Sequence, residues 1–126
     1  MPRPYLLVVD DDPSIAHMVA RGLRSLSLPV HLAVGPLTAW RIVKREGGSP
    51  RVLITDVHLG AFDGRVLAGE LGRVFPRLPV LLMSGGFTPG CEPSLPSISR
   101  QQFLAKPFSG DDLLKAVRML LAPADV

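Results

Sequence analysis

Residues 5–13 read Tyr5-Leu6-Leu7-Val8-Val9-Asp10-Asp11-Asp12-Pro13: an unbroken apolar run passes directly into three carboxylates and a proline. A run apolar at every residue, rather than every second one, suits a strand covered on both faces, as in a parallel sheet flanked by helices. Asp12 followed by Pro13 reads as the N-cap and first-turn proline of a helix. The acids therefore sit at the carboxyl end of a buried strand, just before the chain turns into a helix.

Four more short runs follow: Val30–Val34, Val52–Thr55, Val80–Met83 and Phe103–Ala105. Helical spacing fills most of the gaps. Ile15, Met18, Val19, Leu23 and Leu26 form one stripe, and Leu37, Trp40 and Val43 a second that ends at Gly47-Gly48. Val66, Leu67, Leu71, Val74 and Phe75 form a third behind Asp63-Gly64, which reads as a cap and turn. Leu113, Leu114, Val117, Leu120 and Leu121 form the last, behind Ser109 with Asp112 three residues on. All are expected to face a core.

The exception is Gly85–Gln102, where three glycines (85, 86, 90) and three prolines (89, 93, 96) fall within 18 positions. Each proline inside a helix costs ~3 kcal/mol and each glycine ~1 kcal/mol relative to alanine. A loop is expected, with at most a short helical turn near Ser97–Gln102.

Strands alternating with helices through short connections define an open α/β fold. Right-handed crossovers leave few topologies for five such units, and the flavodoxin-like order 2-1-3-4-5 is the common one. The expectation is a (βα)5 three-layer sandwich whose fourth helix is short or disordered, filling residues 1–126 as one domain with its core at about 5–121. No internal repeat or linker divides the chain.

Composition agrees and excludes several classes. In 126 residues, 47% are hydrophobic and 20% charged, a globular balance. No apolar run approaches the ~18–20 residues that span a bilayer. The opening Met1-Pro2-Arg3-Pro4-Tyr5 is followed too soon by acids for a signal peptide, so a cytoplasmic location and no membrane association are expected. The single cysteine, Cys91, can form neither an internal disulfide nor a thiolate cluster. Fourteen Lys and Arg against eleven Asp and Glu give +3, but the cations are scattered, with Arg41, Lys44 and Arg45 the one local group. Direct nucleic-acid binding is not expected.

Ligands of open α/β sheets bind beyond the carboxyl ends of the strands. In the order 2-1-3-4-5, strands 1 and 3 are neighbours, so Asp10, Asp11 and Asp56 converge, with Ser84 ending strand 4 and Lys106 ending strand 5. Three converging carboxylates repel unless a cation sits among them, and a hard divalent ion with oxygen ligands, Mg²⁺, meets that need. A nucleophilic carboxylate, a metal, a lysine and a hydroxyl around one cavity are the parts for handling a phosphoryl group.

These motifs resemble the receiver domain of two-component response regulators, of the chemotaxis-regulator kind. The carriers are Leu7–Pro13, Ile54–Gly64 (Ile54-Thr55-Asp56-Val57-His58-Leu59-Gly60-Ala61-Phe62-Asp63-Gly64), Pro79–Gly85 and Phe103–Phe108, in order and over essentially the whole chain. The resemblance implies that Asp56 accepts a phosphoryl group from a phosphohistidine on a sensor histidine kinase or a histidine phosphotransfer protein. Asp10, Asp11, Asp56 and the backbone carbonyl of His58 would hold Mg²⁺, or Mn²⁺ in its place. Lys106 would pair with Asp56 at rest and with a phosphoryl oxygen afterwards. Ser84 and Phe103 would be the switch pair, and Lys106-Pro107 a cis peptide. Pro13, Ile15, Met18, Pro107 and Phe108 would face the partner, although Ile15 and Met18 also read as ordinary core.

The sequence departs from the family at three places. Gly60 replaces the usual proline, so a more flexible loop is expected after the acceptor. Gly86 and His58 stand where side chains in the family affect water's access to the acyl phosphate. The Gly/Pro-rich stretch replaces the fourth helix, which leaves the family's usual dimer, and so the oligomeric state, open.

Other functions fit less well. A Mg²⁺-dependent phosphatase or phosphotransferase acting on small substrates would want an acid two residues after Asp56, where His58 stands, and a cap insertion. A flavodoxin-like cofactor site would want a Gly/Ser/Thr phosphate loop in place of an acidic one. A docking pseudo-receiver would not need the complete set of acids, Ser84 and Lys106. A signalling switch rather than a metabolic enzyme is expected. A stand-alone regulator and a receiver excised from a larger regulator or hybrid kinase both fit.

Overall fold

The computed structural model describes residues 3–123, so the terminal stretches Met1-Pro2 and Ala124-Asp125-Val126 lie outside the described residues. Five strands, β1 (Leu6–Val9), β2 (Val30–Ala33), β3 (Val52–Asp56), β6 (Val80–Ser84) and β7 (Gln101–Ala105), form one parallel sheet in the order β2-β1-β3-β6-β7. A two-stranded hairpin, β4 (His58–Leu59) with β5 (Phe62–Asp63), takes two numbers after β3, so this is the expected 2-1-3-4-5 order. The helices are α1 (Pro13–Gly22), α2 (Pro36–Glu46), α3 (Gly64–Val74) and α4 (Gly110–Leu121), with a short 3-10 turn at Arg24–Leu26.

Alternate side chains of a strand point to opposite faces, and here both faces are covered. Leu7, Val9, Leu53, Val80 and Leu82 pack under α2 and α3 with Ile42, Leu67 and Leu71. Leu6, Val8, Ile54, Leu81 and Met83 pack under α1 and α4 with Val19, Leu113 and Val117. This two-sided burial is why these strands read as continuous apolar runs. The caps follow the sequence. Asp12 accepts from the Ser14 N–H, Asp63 from Arg65 and Ser109 from Asp112, at 2.9, 2.8 and 3.0 Å. Gly47 closes α2 at a φ of 74°, in the left-handed region that favours glycine.

The loop expected between β6 and β7 is present, with one turn closed by the Ile98 N–H on the Leu95 carbonyl at 3.0 Å. Other expectations need correction. Residues 101 and 102, expected at the end of a helical turn, already belong to β7, and the segment is organised by a glutamine instead. Gln101 accepts from the Leu95 N–H at 2.7 Å and donates to the Leu95 and Ile98 carbonyls at 2.6 and 2.7 Å. Its amide supplies bonds that a helix would have made internally, and Leu95 and Ile98 are buried. The expected core stripes were also too generous: Leu37 is 66% exposed, and Met18, Val66 and Val74 also face solvent. A three-residue step falls ~60° short of a helical turn, so Leu37 and Val43 diverge, and α2 buries Ala39, Ile42 and Val43.

The loop after β3 is an ordered hairpin. Gly60 has a φ of 63°, while Ala61 is not among the residues with positive φ. That is the II′ pattern, with glycine at the first central position. Proline, fixed near −65°, does not fit it.

Gly64 sits directly beneath this loop, where an added Cβ would lie 2.0 Å from the Asp56 carbonyl oxygen and 2.8 Å from Thr55 Oγ1. Gly64→Ala is expected to destabilise the protein by ~1–3 kcal/mol through overpacking. Gly69→Ala, on the same helix with nothing within 4 Å, should stabilise by up to ~1 kcal/mol. Urea denaturation of both variants checks this, and equal stabilities would contradict it.

Candidate functional site

The carboxyl ends of β1 and β3 are neighbours, which brings Asp10 and Asp56 together, with Asp11 beside them. Their carboxylate oxygens lie within 4.8 Å of one another. Asp10 is fully buried and Asp56 is 7% exposed, while Asp11 faces solvent. Lys106, immediately after β7, reaches both buried acids: its Nζ lies 2.5 Å from Asp56 Oδ2 and 3.3 Å from Asp10 Oδ2. The remaining oxygens accept backbone N–H groups. Asp10 Oδ1 takes that of Asp12 and Asp56 Oδ1 that of His58, both at 2.9 Å. Asp11 has no hydrogen bond or ion pair among the described residues. Lys106-Pro107 is cis, as the resemblance implied.

Burial pushes the Asp10 carboxyl above its ordinary range and the Asp56 charge adds to this, against the opposing pull of the Asp12 N–H and Lys106. Burial alone would push Lys106 down, but the Asp56 hydrogen bond and the charges of Asp10 and Asp56 outweigh it and hold the ammonium above its ordinary value. Three carboxylates against one ammonium leave the cluster short of positive charge. All its donors are oxygens, one carboxylate is free and exposed, and this chemistry fits a hard divalent cation.

The other expected residues are distributed less tightly. Ser84 is fully buried at the end of β6, one residue beyond Met83, which pairs with Asp56. Its Oγ accepts the Gly86 N–H at 3.2 Å, so the hydroxyl is turned toward its own loop. Phe103 is half-buried and meets Phe87 edge to face at 4.8 Å. The His58 imidazole is exposed, and a Cβ at Gly86 would lie 3.8 Å from its Nε2. Of the expected partner face, Pro13, Met18 and Pro107 are exposed, and Ile15 and Phe108 are half-buried against the α1/α4 core. Met18 is therefore surface and Ile15 partly core.

Three contributors escaped the sequence reading. Thr55, fully buried, donates its Oγ1 hydrogen to the Asp56 carbonyl at 2.9 Å. Gly64 leaves room for that carbonyl. Phe87 buttresses Phe103. The lone hydroxyl in a buried strand was the available signal for Thr55, but nothing local marked Phe87.

The chain belongs to the response regulator receiver domain family, whose model matches residues 6–118. It is 29% identical over 120 residues to the sensor kinase CckA of Brucella abortus, covering 95% of this chain and 13% of the kinase. It is 32% identical over 127 residues to the DNA-binding transcriptional regulator NtrC of a Bradyrhizobium strain, covering 97% of this chain and 25% of that protein. It thus spans a quarter or less of the length of these two relatives. The solved receiver domain of NtrX from Brucella abortus superposes with a TM-score of 0.81 at 28% identity, covering 92% of this chain and 97% of that one. Receiver domains act as signalling switches and bind Mg²⁺ at an acidic pocket, and this chain has the carboxylate cluster for it. No helix among the described residues is long and apolar enough to cross a membrane.

A carboxyl whose folded pKa is raised contributes stability below the ordinary aspartate range and loses it as pH rises through the folded value. Metal-free Asp10→Asn should therefore melt above wild type at neutral pH, and the gap should close as pH falls below about 4. Calorimetry across that range in chelator checks the sign, and a lower neutral melting point for the variant would contradict it.

Proposed function

We propose that this chain is the phosphoacceptor receiver of a two-component phosphorelay, with Asp56 as the acceptor. The observation that carries this reading is the arrangement of Lys106: one ammonium bridges two buried carboxylates, of which Asp56 is the less enclosed. An Asp56 carboxylate oxygen attacks the phosphorus of a phosphohistidine on a sensor kinase or phosphotransfer protein. The P–N bond breaks, its electron pair leaves with the imidazole, and an acyl phosphate remains on Asp56. Lys106, already beside Asp56, then pairs with a phosphoryl oxygen. Asp10, Asp11, Asp56 and the His58 carbonyl are the groups that hold Mg²⁺, which when bound neutralises charge on the phosphoryl oxygens. Pro13, Ile15, Met18, Pro107 and Phe108 form the surface that meets the histidine-bearing partner, in the cytoplasm.

The modification adds about −1.5 to −2 charges. Ser84 leaves the Gly86 N–H to donate to the phosphoryl group, and Phe103 follows by breaking its contact with Phe87. The switch can shift no further than this difference in bonding allows.

Acetyl phosphate with Mg²⁺ should give a single phosphoryl adduct by intact mass. The adduct should disappear in chelator and in Asp56→Asn, and Lys106→Ala should slow its formation by about 10²-fold. An adduct that persists in Asp56→Asn, or forms equally without the metal, would contradict the reading.

A further inference from the structure

At the end of the sheet away from the acids, the fold gathers its cations. The last turns of α1, α2, α3 and α4 carry Arg21, Lys44 with Arg45, Arg73 and Arg118. In a parallel α/β sheet all these helix ends lie where the strands begin. Positive charge there complements the helix dipoles, which accounts for those five. Arg100, entering β7, serves the same end by donating to the last carbonyls of α4, but Arg51 and Arg77, in the connections entering β3 and β6, have no such role.

These three arginines line a groove of about 620 Å³, floored by Val74, Phe75 and Leu121. No acid lines it among the described residues, and neither Arg51 nor Arg77 makes an ion pair among them. Arg100 is fixed in place: its Nη2 donates to the Met119 and Ala122 carbonyls at 3.0 and 2.6 Å. Both carboxylate-binding forks of a guanidinium use Nη2, which is taken, so Arg100 offers the groove its charge and single Nε–H or Nη1 hydrogen bonds.

We propose that this groove is a docking site for an acidic peptide segment carrying an apolar side chain. The apolar side chain lies on Val74, Phe75 and Leu121, and flanking carboxylates pair with Arg51, Arg77 and the fixed Arg100. Charge complementarity selects an anion, and the concave apolar floor selects a segment that can insert a side chain rather than a flat bilayer surface. A single-stranded nucleic acid would want exposed aromatics for stacking, whereas Phe75 is half-buried against the core. The site is independent of the Asp56 chemistry and lies at the opposite end of the sheet.

The test uses the full chain and a synthetic glutamate-rich peptide with a central phenylalanine–leucine pair, followed by amide chemical shifts and fluorescence anisotropy. Saturable binding is expected, with shifts confined to residues around 49–51, 74–79, 100 and 119–123. The double variant Arg51→Glu/Arg77→Glu should weaken binding about tenfold or more. The charge-matched Arg41→Glu/Lys115→Glu should not, and replacing the peptide's apolar pair by serines should weaken binding to wild type. Both variants should still accept phosphate from acetyl phosphate as wild type does, which separates lost docking from lost folding. The proposal is overturned by non-saturable binding, by shifts spread over the whole cationic surface, or by equal effects of the two double variants. It is also overturned if the peptide does not bind while anionic vesicles or an oligonucleotide do.

Discussion

The rest of the structure is arranged around one ammonium group. Lys106 lies 96 residues from Asp10 and 50 from Asp56, and it meets both. A carboxylate removed from water needs a counter-charge or hydrogen bonds, and the two buried acids here divide one lysine and two backbone N–H groups between them. This holds only if β1 and β3 are adjacent and β7 ends at the same edge of the sheet. The pairing therefore ties the first, third and last strands of the sheet to one register, and a slip in any of them would leave a charge buried without its partner.

The surroundings of Asp56 serve the same requirement. Its backbone carbonyl is held by Thr55 Oγ1 and passes over Gly64, where no side chain fits. Its carboxylate is oriented by the His58 N–H, and His58 opens the hairpin that Gly60 turns. The position of this carboxylate thus depends on a hydroxyl, a glycine that leaves space and a glycine that supplies a positive φ. On the other side, Ser84 and Phe103 are engaged with Gly86 and Phe87, residues of the glycine- and proline-rich segment. Under the proposed switch, a change at the acid cluster would pass through Ser84 and Phe103 into that segment.

What the sequence made legible was whatever local chemistry dictates. Continuous apolar runs marked strands covered on both sides, Asp12, Asp63 and Ser109 marked helix starts, and acids at strand ends marked the cleft. Less legible were features created by contacts distant in the chain. Gln101 organises Leu95–Ile98 through side-chain amide bonds that no periodicity encodes. Leu37, Val66 and Val74 satisfy a helical pattern but fall outside the arc that meets the sheet. The cations read as scattered because they are spaced by whole βα units, and that spacing is what stacks them at one end of the sheet. Met18 could be read as core or surface until the packing of α1 against α4 placed it.

Under the proposed function, Asp56 alone of the three clustered carboxylates receives the phosphoryl group. Borohydride reduces an acyl phosphate to the corresponding alcohol, so reduction of the phosphorylated chain followed by peptide mass mapping identifies the acceptor directly. Homoserine is expected at position 56, with unmodified aspartate at 10 and 11. Homoserine at either of those positions, or a phosphoryl adduct with no reduced residue at 56, would contradict it.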